Sequence, residues 1–193
     1  MPELPEVEVV KRSLGKKIQN LTIKNVKIND GNLRYKVNKD QISKLKRKKI
    51  LKIKRRSKFL IFQFEKNICM MVHLGMTGKL FFVDSKNIRY KTSFYYEIDE
   101  KNQKHNHIVF FFHDKKKLIY NDVRKFGFIK FFKKEEYYEN FHLKKLGPEP
   151  LKKDFNFNYL KKYISGRNRT IKDVLMDQKC ISGLGNIYVN EIL

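Results

Sequence analysis

The 193-residue sequence has no alanine and no tryptophan, only two cysteines and four prolines, and fewer than half as many acidic as basic residues, 20 against 44. Each shortage excludes something. Cys69 and Cys180 stand far apart in apolar surroundings, so they can build neither a disulfide framework nor a Cys-x-x-Cys metal site. They read as buried free thiols in a reducing compartment. No charged-then-apolar leader with a small-residue cleavage site opens the chain, and its longest apolar runs are too short to cross a bilayer. A soluble, cytoplasmic protein without membrane contact is expected. The shortage of acid leaves a formal net charge of +24, and such an excess points first to a polyanionic partner, usually nucleic acid. The crowding of Lys, Asn, Ile, Phe and Tyr also fits an AT-rich coding bias, which would raise the charge whatever the function.

Apolar content is sufficient for a packed globular protein, 41% hydrophobic with 13% aromatic. The length allows one domain plus part of another. Pro5 suits the first turn of a helix in which Val7, Val10 and Leu14 keep helical spacing, with Glu6 and Glu8 at its positive end and Gly15 as a stop. Residues 21–132 read as seven or eight short strands without helical crossovers, the pattern of an antiparallel sandwich or barrel. His113 to Lys117 is a hairpin turn within it. Leu146-Gly147-Pro148-Glu149-Pro150 can continue neither strand nor helix and marks a boundary. Beyond it, Asp154 can cap a helix carrying Phe155, Tyr159, Leu160 and Tyr163 that ends at Ser165-Gly166, and Thr170 with Asp173 resembles a capping box. The glycine turn Ser182-Gly183-Leu184-Gly185 opens a last helix, within which the sequence stops at Leu193; this reads as a fragment.

Five stretches carry possible chemistry. In Met1-Pro2-Glu3-Leu4-Pro5-Glu6, removal of Met1 would make the Pro2 ring nitrogen a secondary amine beside two carboxylates, although the same residues also form a plain helix-start signal. Arg55-Arg56-Ser57-Lys58 reads either as solvated charge or as Lys58 projecting from a rigid strand to neutralise a phosphate. His73-Leu74-Gly75-Met76-Thr77-Gly78 can push Met76 outward as an apolar wedge, and Asp122-Val123-Arg124-Lys125-Phe126-Gly127 offers Arg124 and Phe126 as a second tip; the plain alternatives are a core methionine and a strand-end aromatic. Gly183-Leu184-Gly185-Asn186 presents unpaired N–H groups at a helix N-terminus, a phosphate site with Asn186 as an added donor.

Taken together, the Pro-Glu-Leu-Pro-Glu-Val start, Arg-Arg-x-Lys, His-Leu-Gly-Met-x-Gly, Arg-x-Phe-Gly, Leu-Gly-Pro-Glu-Pro and Gly-x-Gly-Asn-Ile-Tyr resemble bacterial formamidopyrimidine-DNA glycosylases across essentially the whole chain. Leu4 and the Met76, Arg124, Phe126 set fit this branch better than the endonuclease VIII branch, which begins Pro-Glu-Gly-Pro-Glu. The resemblance implies an α+β protein, with a catalytic β-sandwich domain over residues 1–146 and a linker with part of a helix-two-turns-helix DNA-binding module over 147–193. It implies a bifunctional glycosylase and abasic-site lyase that excises oxidised purines from damaged double-stranded DNA as a monomer. Pro2 would be the nucleophile, Glu3 the principal acid/base group, Glu6 a supporting carboxylate and Lys58 a cation at the reacting sugar. His73 and Asn186 would hold phosphates, Tyr188 would line the DNA side, and Met76, Arg124 and Phe126 would fill the gap left by a flipped nucleotide. Val123 stands where the family has a turn proline. No metal or cofactor is expected in this chain; zinc is expected in a full-length member, whose four-cysteine finger and lesion-covering loop lie outside the sequence. Two alternatives stand beside this reading: a DNA-binding fragment with little turnover, and an endonuclease VIII-like enzyme for oxidised pyrimidines.

Overall fold

The computed structural model describes residues 2–94 and 100–193, without the side chains of residues 100–102; Met1, whose removal the reading of Pro2 requires, lies outside the described residues. Helix α1, Leu4–Ile18, buries Val7, Val10, Leu14 and Ile18 on one face. Each such burial contributes roughly 1.5–3 kcal/mol. Gly15 is not the expected stop. The helix runs on to Ile18, which is fully buried, and that packing outweighs the cost of about 1 kcal/mol for a helical glycine.

The described residues form nine strands rather than seven or eight, in two antiparallel sheets: β1 (Ile23–Ile28), β7 (Asn106–Phe112), β8 (Lys117–Asp122), β5 (Gly78–Val83) and β6 (Arg89–Lys91), in that order, and β2 (Ile50–Arg56), β3 (Phe59–Phe64), β4 (Ile68–His73) and β9 (Phe128–Lys133). Strand β6 has only three residues and no apolar alternation to announce it. Leu60, Phe62, Met70 and Val72 of one sheet meet Leu80, Phe110, Leu118 and Tyr120 of the other in the main core, closed by α1. On the outer face of the four-stranded sheet Ile61, Cys69, Met71, Phe128 and Phe132 pack with Leu143.

Besides the long connection from β1 to β2 over residues 29–49, the chain changes sheets twice through short loops, from β4 to β5 through residues 74–77 and from β8 to β9 through 123–127. The pairs His73↔Phe128 and Gly78↔Asp122 place both crossovers at one end of the sandwich.

Helix α2 (Lys39–Ser43) precedes β2; α3 (Phe157–Ile164), α4 (Ile171–Met176) and α5 (Asn186–Ile192) follow the sheets and share a third apolar cluster around Val174, Leu175, Cys180 and Val189. Asn156, not Asp154, caps α3 by accepting the Tyr159 N–H at 3.0 Å, so Phe155 lies before the helix and not on it, packed against the same apolar cluster. Thr170 caps α4, accepting the Asp173 N–H at 3.1 Å and donating to its carboxylate at 2.7 Å. Among the described residues no helix is long and apolar enough to cross a membrane.

Candidate functional site

The N-terminus of α5 does not stand open to a phosphate. Its backbone donors are occupied by Glu3: the Gly185 N–H meets one carboxylate oxygen at 2.5 Å, Ile187 meets the other at 2.9 Å, and Tyr188 is at 3.5 Å. An anion is what a helix N-terminus favours, and here the chain supplies its own. The glycines follow from this approach. A Cβ on Gly185 would lie 2.6 Å from the Glu3 carboxylate and 2.9 Å from the Lys58 ammonium, and Gly183, at φ +106°, would strike the Leu4 side chain. The Gly183 carbonyl accepts the Leu4 N–H at 3.0 Å. Pro2 thus precedes a carboxylate that is 1% exposed and fixed by a helix from the far part of the chain.

Glu6 supports the same end from within α1. One of its oxygens accepts the Glu3 N–H and the other the Tyr188 hydroxyl, both at 2.8 Å, so Tyr188 meets a carboxylate of the acid site. Asn186 is exposed beside it. Lys58 is not on a strand; it sits in the two-residue turn between β2 and β3, with Ser57 at φ +53°. Burial lowers the Lys58 ammonium below its ordinary range, while Glu3 and Glu6 pull it back up.

From Lys58 a strip of candidate residues continues along the sheet edge. Phe59 pairs with His73 across β3 and β4. The His73 ring lies 5.2 Å from the Phe128 ring, nearly parallel. Burial, with Lys58 nearby, lowers His73 to about 4, so it is neutral at pH 7. Its Nδ1 accepts the Gly75 N–H at 3.1 Å, which leaves the proton on Nε2 as a donor.

Next on the strip are the two crossover loops, and they touch. Gly75, at φ +62°, lies so close to the Phe126–Gly127 peptide that a Cβ would stand 2.5 Å from the Gly127 nitrogen. Met76 and Phe126 are each 44% exposed at the tips. The Arg124 guanidinium lies 4.5 Å from the Phe126 ring centre. Without the turn proline, Val123 is exposed and Lys125 adopts φ +56°, its ammonium 2.6 Å from Asp30. The structure therefore brings Glu3, Glu6, Lys58 and Tyr188 together, and ranges His73, Met76, Arg124 and Phe126 along one edge from them.

An ion cluster behind Lys58 was not foreseen. Arg55 and Arg56 are not solvated. Arg55 grips Glu149 through two bonds of 2.9 and 2.8 Å and reaches Glu8 at 2.9 Å. Arg56 donates to the Leu146 and Gly147 carbonyls at 3.1 and 2.7 Å and to Ser182 at 3.0 Å. Glu149 also accepts the Ser57 N–H at 2.7 Å. Burial would raise both carboxyls, but hydrogen bonds from Lys11, Arg55 and Arg12 hold Glu8 at about 2, and Arg55 with Ser57 holds Glu149 below its ordinary range. The one available signal was an acid inside a Pro-x-Pro turn, where a helix cap or bare solvent needs none. Among the described residues no group of three His, Cys, Asp or Glu side chains could hold a metal ion.

These features define a class: two-part α+β proteins in which a sandwich carries an acid site at its amino-terminal end and a helical segment supplies that site's backbone donors. The chain belongs to the formamidopyrimidine-DNA glycosylase family. Residues 1–129 match the family model of the formamidopyrimidine-DNA glycosylase N-terminal domain, and residues 146–193 that of the formamidopyrimidine-DNA glycosylase H2TH domain. The formamidopyrimidine-DNA glycosylase of Wolbachia pipientis subsp. Culex pipiens (strain wPip) is 40% identical over 193 residues, 100% of this chain and 66% of the relative. That of Ligilactobacillus salivarius (strain UCC118) is 40% identical over all of this chain and 65% of its own length. Among solved structures, Lactococcus lactis Fpg in complex with an abasic site containing DNA matches with a TM-score of 0.84 at 34% identity, covering 99% of this chain and 66% of that one. The chain spans just under two thirds of the length of these relatives.

Proposed function

We propose that the chain is the catalytic part of a base-excision DNA glycosylase and abasic-site lyase acting on oxidised purines in double-stranded DNA. The observation that carries this is the Glu3 carboxylate, buried, oriented by three N–H groups of α5 and set beside Lys58, one residue after Pro2. Such a group serves proton transfer at one fixed point, worth about a hundred- to ten-thousandfold in rate. With Met1 removed, Pro2 offers a secondary amine of ordinary pKa about 7.7 to 8.0, of which roughly a tenth is neutral near pH 7.

In this reading the neutral Pro2 amine bonds to C1′ of an extruded nucleotide as the bond from C1′ to the base breaks, and the base leaves with a proton. Loss of the amine proton and opening of the sugar ring at O4′, which gains a proton, leave an iminium between Pro2 and C1′. The iminium acidifies C2′; removal of that proton expels the 3′ phosphate as the C3′–O bond breaks. Glu3 is the group placed for these transfers, with Glu6 fixing its backbone. Lys58, His73 and Asn186 meet phosphates, Tyr188 lines the DNA side, and Met76, Arg124 and Phe126 fill the vacated stack. The protein works as a monomer in the cytoplasm, and zinc belongs to the part of the relatives' length that the chain does not span.

Borohydride trapping on abasic-site duplex tests the reading. A covalent adduct is expected from the chain lacking Met1, and none from Pro2→Gly. Salt-sensitive DNA binding without an adduct would establish the second reading, a DNA-binding fragment with little turnover. Lesion preference follows from incision of paired 8-oxoguanine and thymine-glycol duplexes; faster cleavage of the second would favour an endonuclease VIII-like specificity. A Lactococcus lactis Fpg structure with an oxidised pyrimidine containing DNA makes that comparison worth running.

A further inference from the structure

Met76 stands on one crossover loop and Arg124 and Phe126 on the other, so they can enter one gap only if the spacing of the loops is fixed. The Thr77 hydroxyl spans them. It donates to Asp122 Oδ1 at 2.5 Å and accepts the Arg124 N–H at 3.0 Å. Asp122, fully buried, uses Oδ2 to accept the Gly127 N–H at 2.8 Å and the Tyr120 hydroxyl at 3.2 Å, and its carbonyl accepts His107 Nε2–H at 2.7 Å. One carboxylate thereby holds both ends of the second loop, and one hydroxyl ties it to the first. Only a hydroxyl can donate and accept at that point. Gly75 also approaches the Phe126–Gly127 peptide closely, a second contact between the two loops.

We propose that Thr77 and Asp122 form a bridge that sets the spacing of the two loops, making Thr77 a positioning residue through which Met76, Arg124 and Phe126 enter the base stack as one unit. The role rests on the DNA reading above; the bridge itself does not. Replacing Thr77 by valine keeps its shape, leaves Asp122 Oδ1 buried without its donor, and removes the acceptor of the Arg124 N–H. Serine keeps both bonds.

Two measurements on the chain lacking Met1 test this. In free protein, amide exchange at Arg124 should accelerate in Thr77→Val and return to the wild-type rate in Thr77→Ser; equal exchange in all three overturns the bridge. On a lesion duplex with 2-aminopurine beside the lesion, Thr77→Val should lose the fluorescence rise of base extrusion and slow single-turnover incision about ten- to a hundredfold, the scale of a misplaced group. Affinity for undamaged duplex should stay unchanged, the melting temperature should fall by a few degrees because Asp122 loses a buried donor, and Thr77→Ser should restore both signals and the melting temperature, all assays being run well below it. A wild-type signal that survives in Thr77→Val, or a serine variant as impaired as the valine one, overturns the positioning role alone. A wild-type chain with neither extrusion nor incision overturns the role together with the DNA reading.

Discussion

The ammonium of Lys58 lies 2.9 Å from where a Gly185 Cβ would stand, and the Glu3 carboxylate 2.6 Å from it. Gly185 is thus the one residue type that lets acid and cation flank the same space. Lys58→Ala should weaken binding to any duplex uniformly and lower the salt slope of the binding constant by about one unit, as loss of one phosphate contact does. Titrating affinity against salt checks it, and an unchanged slope removes Lys58 from the phosphate set. The identities of Pro2, Glu3, Lys58, His73, Met76, Arg124 and Phe126 were legible as motifs because each sits in a short, unusual stretch. What occupies the first turn of α5 was not. Glu3 and Gly185 are 182 residues apart, and no local pattern announces that a helix N-terminus will be met by a side chain from the opposite end of the chain.

Among the elements, α1 reads well from the spacing of Val7, Val10 and Leu14 and badly from Gly15. Local propensity argues for a stop there, and the burial of Ile18 decides otherwise. No atom lies within 4 Å of a Cβ built on Gly15, so Gly15→Ala should stabilise the protein by about 0.5–1 kcal/mol, read as a shift in denaturant midpoint at constant slope. A smaller midpoint would mean that the helix bends at this position. The crossover loops follow the same rule. Their glycines were visible in sequence, but their contact depends on β4 and β8 both changing sheets at one end, a property of topology and not of either loop.

Over the whole molecule, Arg55, Arg56 and Glu149 join β2, the 146–149 turn and Ser182 into one charged knot. Glu149→Gln leaves Glu8 as the one carboxylate against Arg55, beside the Ser57 carbonyl, and should cost about 3–5 kcal/mol, the usual result of breaking a buried pair. The acid limb of stability should change with it. Glu8 stands at about 2 in the fold against an ordinary 4.5, and Glu149 is also lowered. The contribution of Glu8 is therefore complete above about 4.5 and lost as pH falls toward 2, and that of Glu149 is likewise lost on the acid side. Melting temperatures should drop steeply over that window in the wild type and less steeply in Glu149→Gln; parallel curves would place the acid sensitivity elsewhere. The seat of Glu3 on α5 carries one more consequence, for biosynthesis. Residue 3 leaves the ribosome early and its donors at 185–188 more than 180 residues later, so the acid site is assembled by a late docking step. A nascent chain with its sandwich already folded still lacks the donors that orient this carboxylate, so the amino-terminal acid takes its final orientation only when the helical segment arrives.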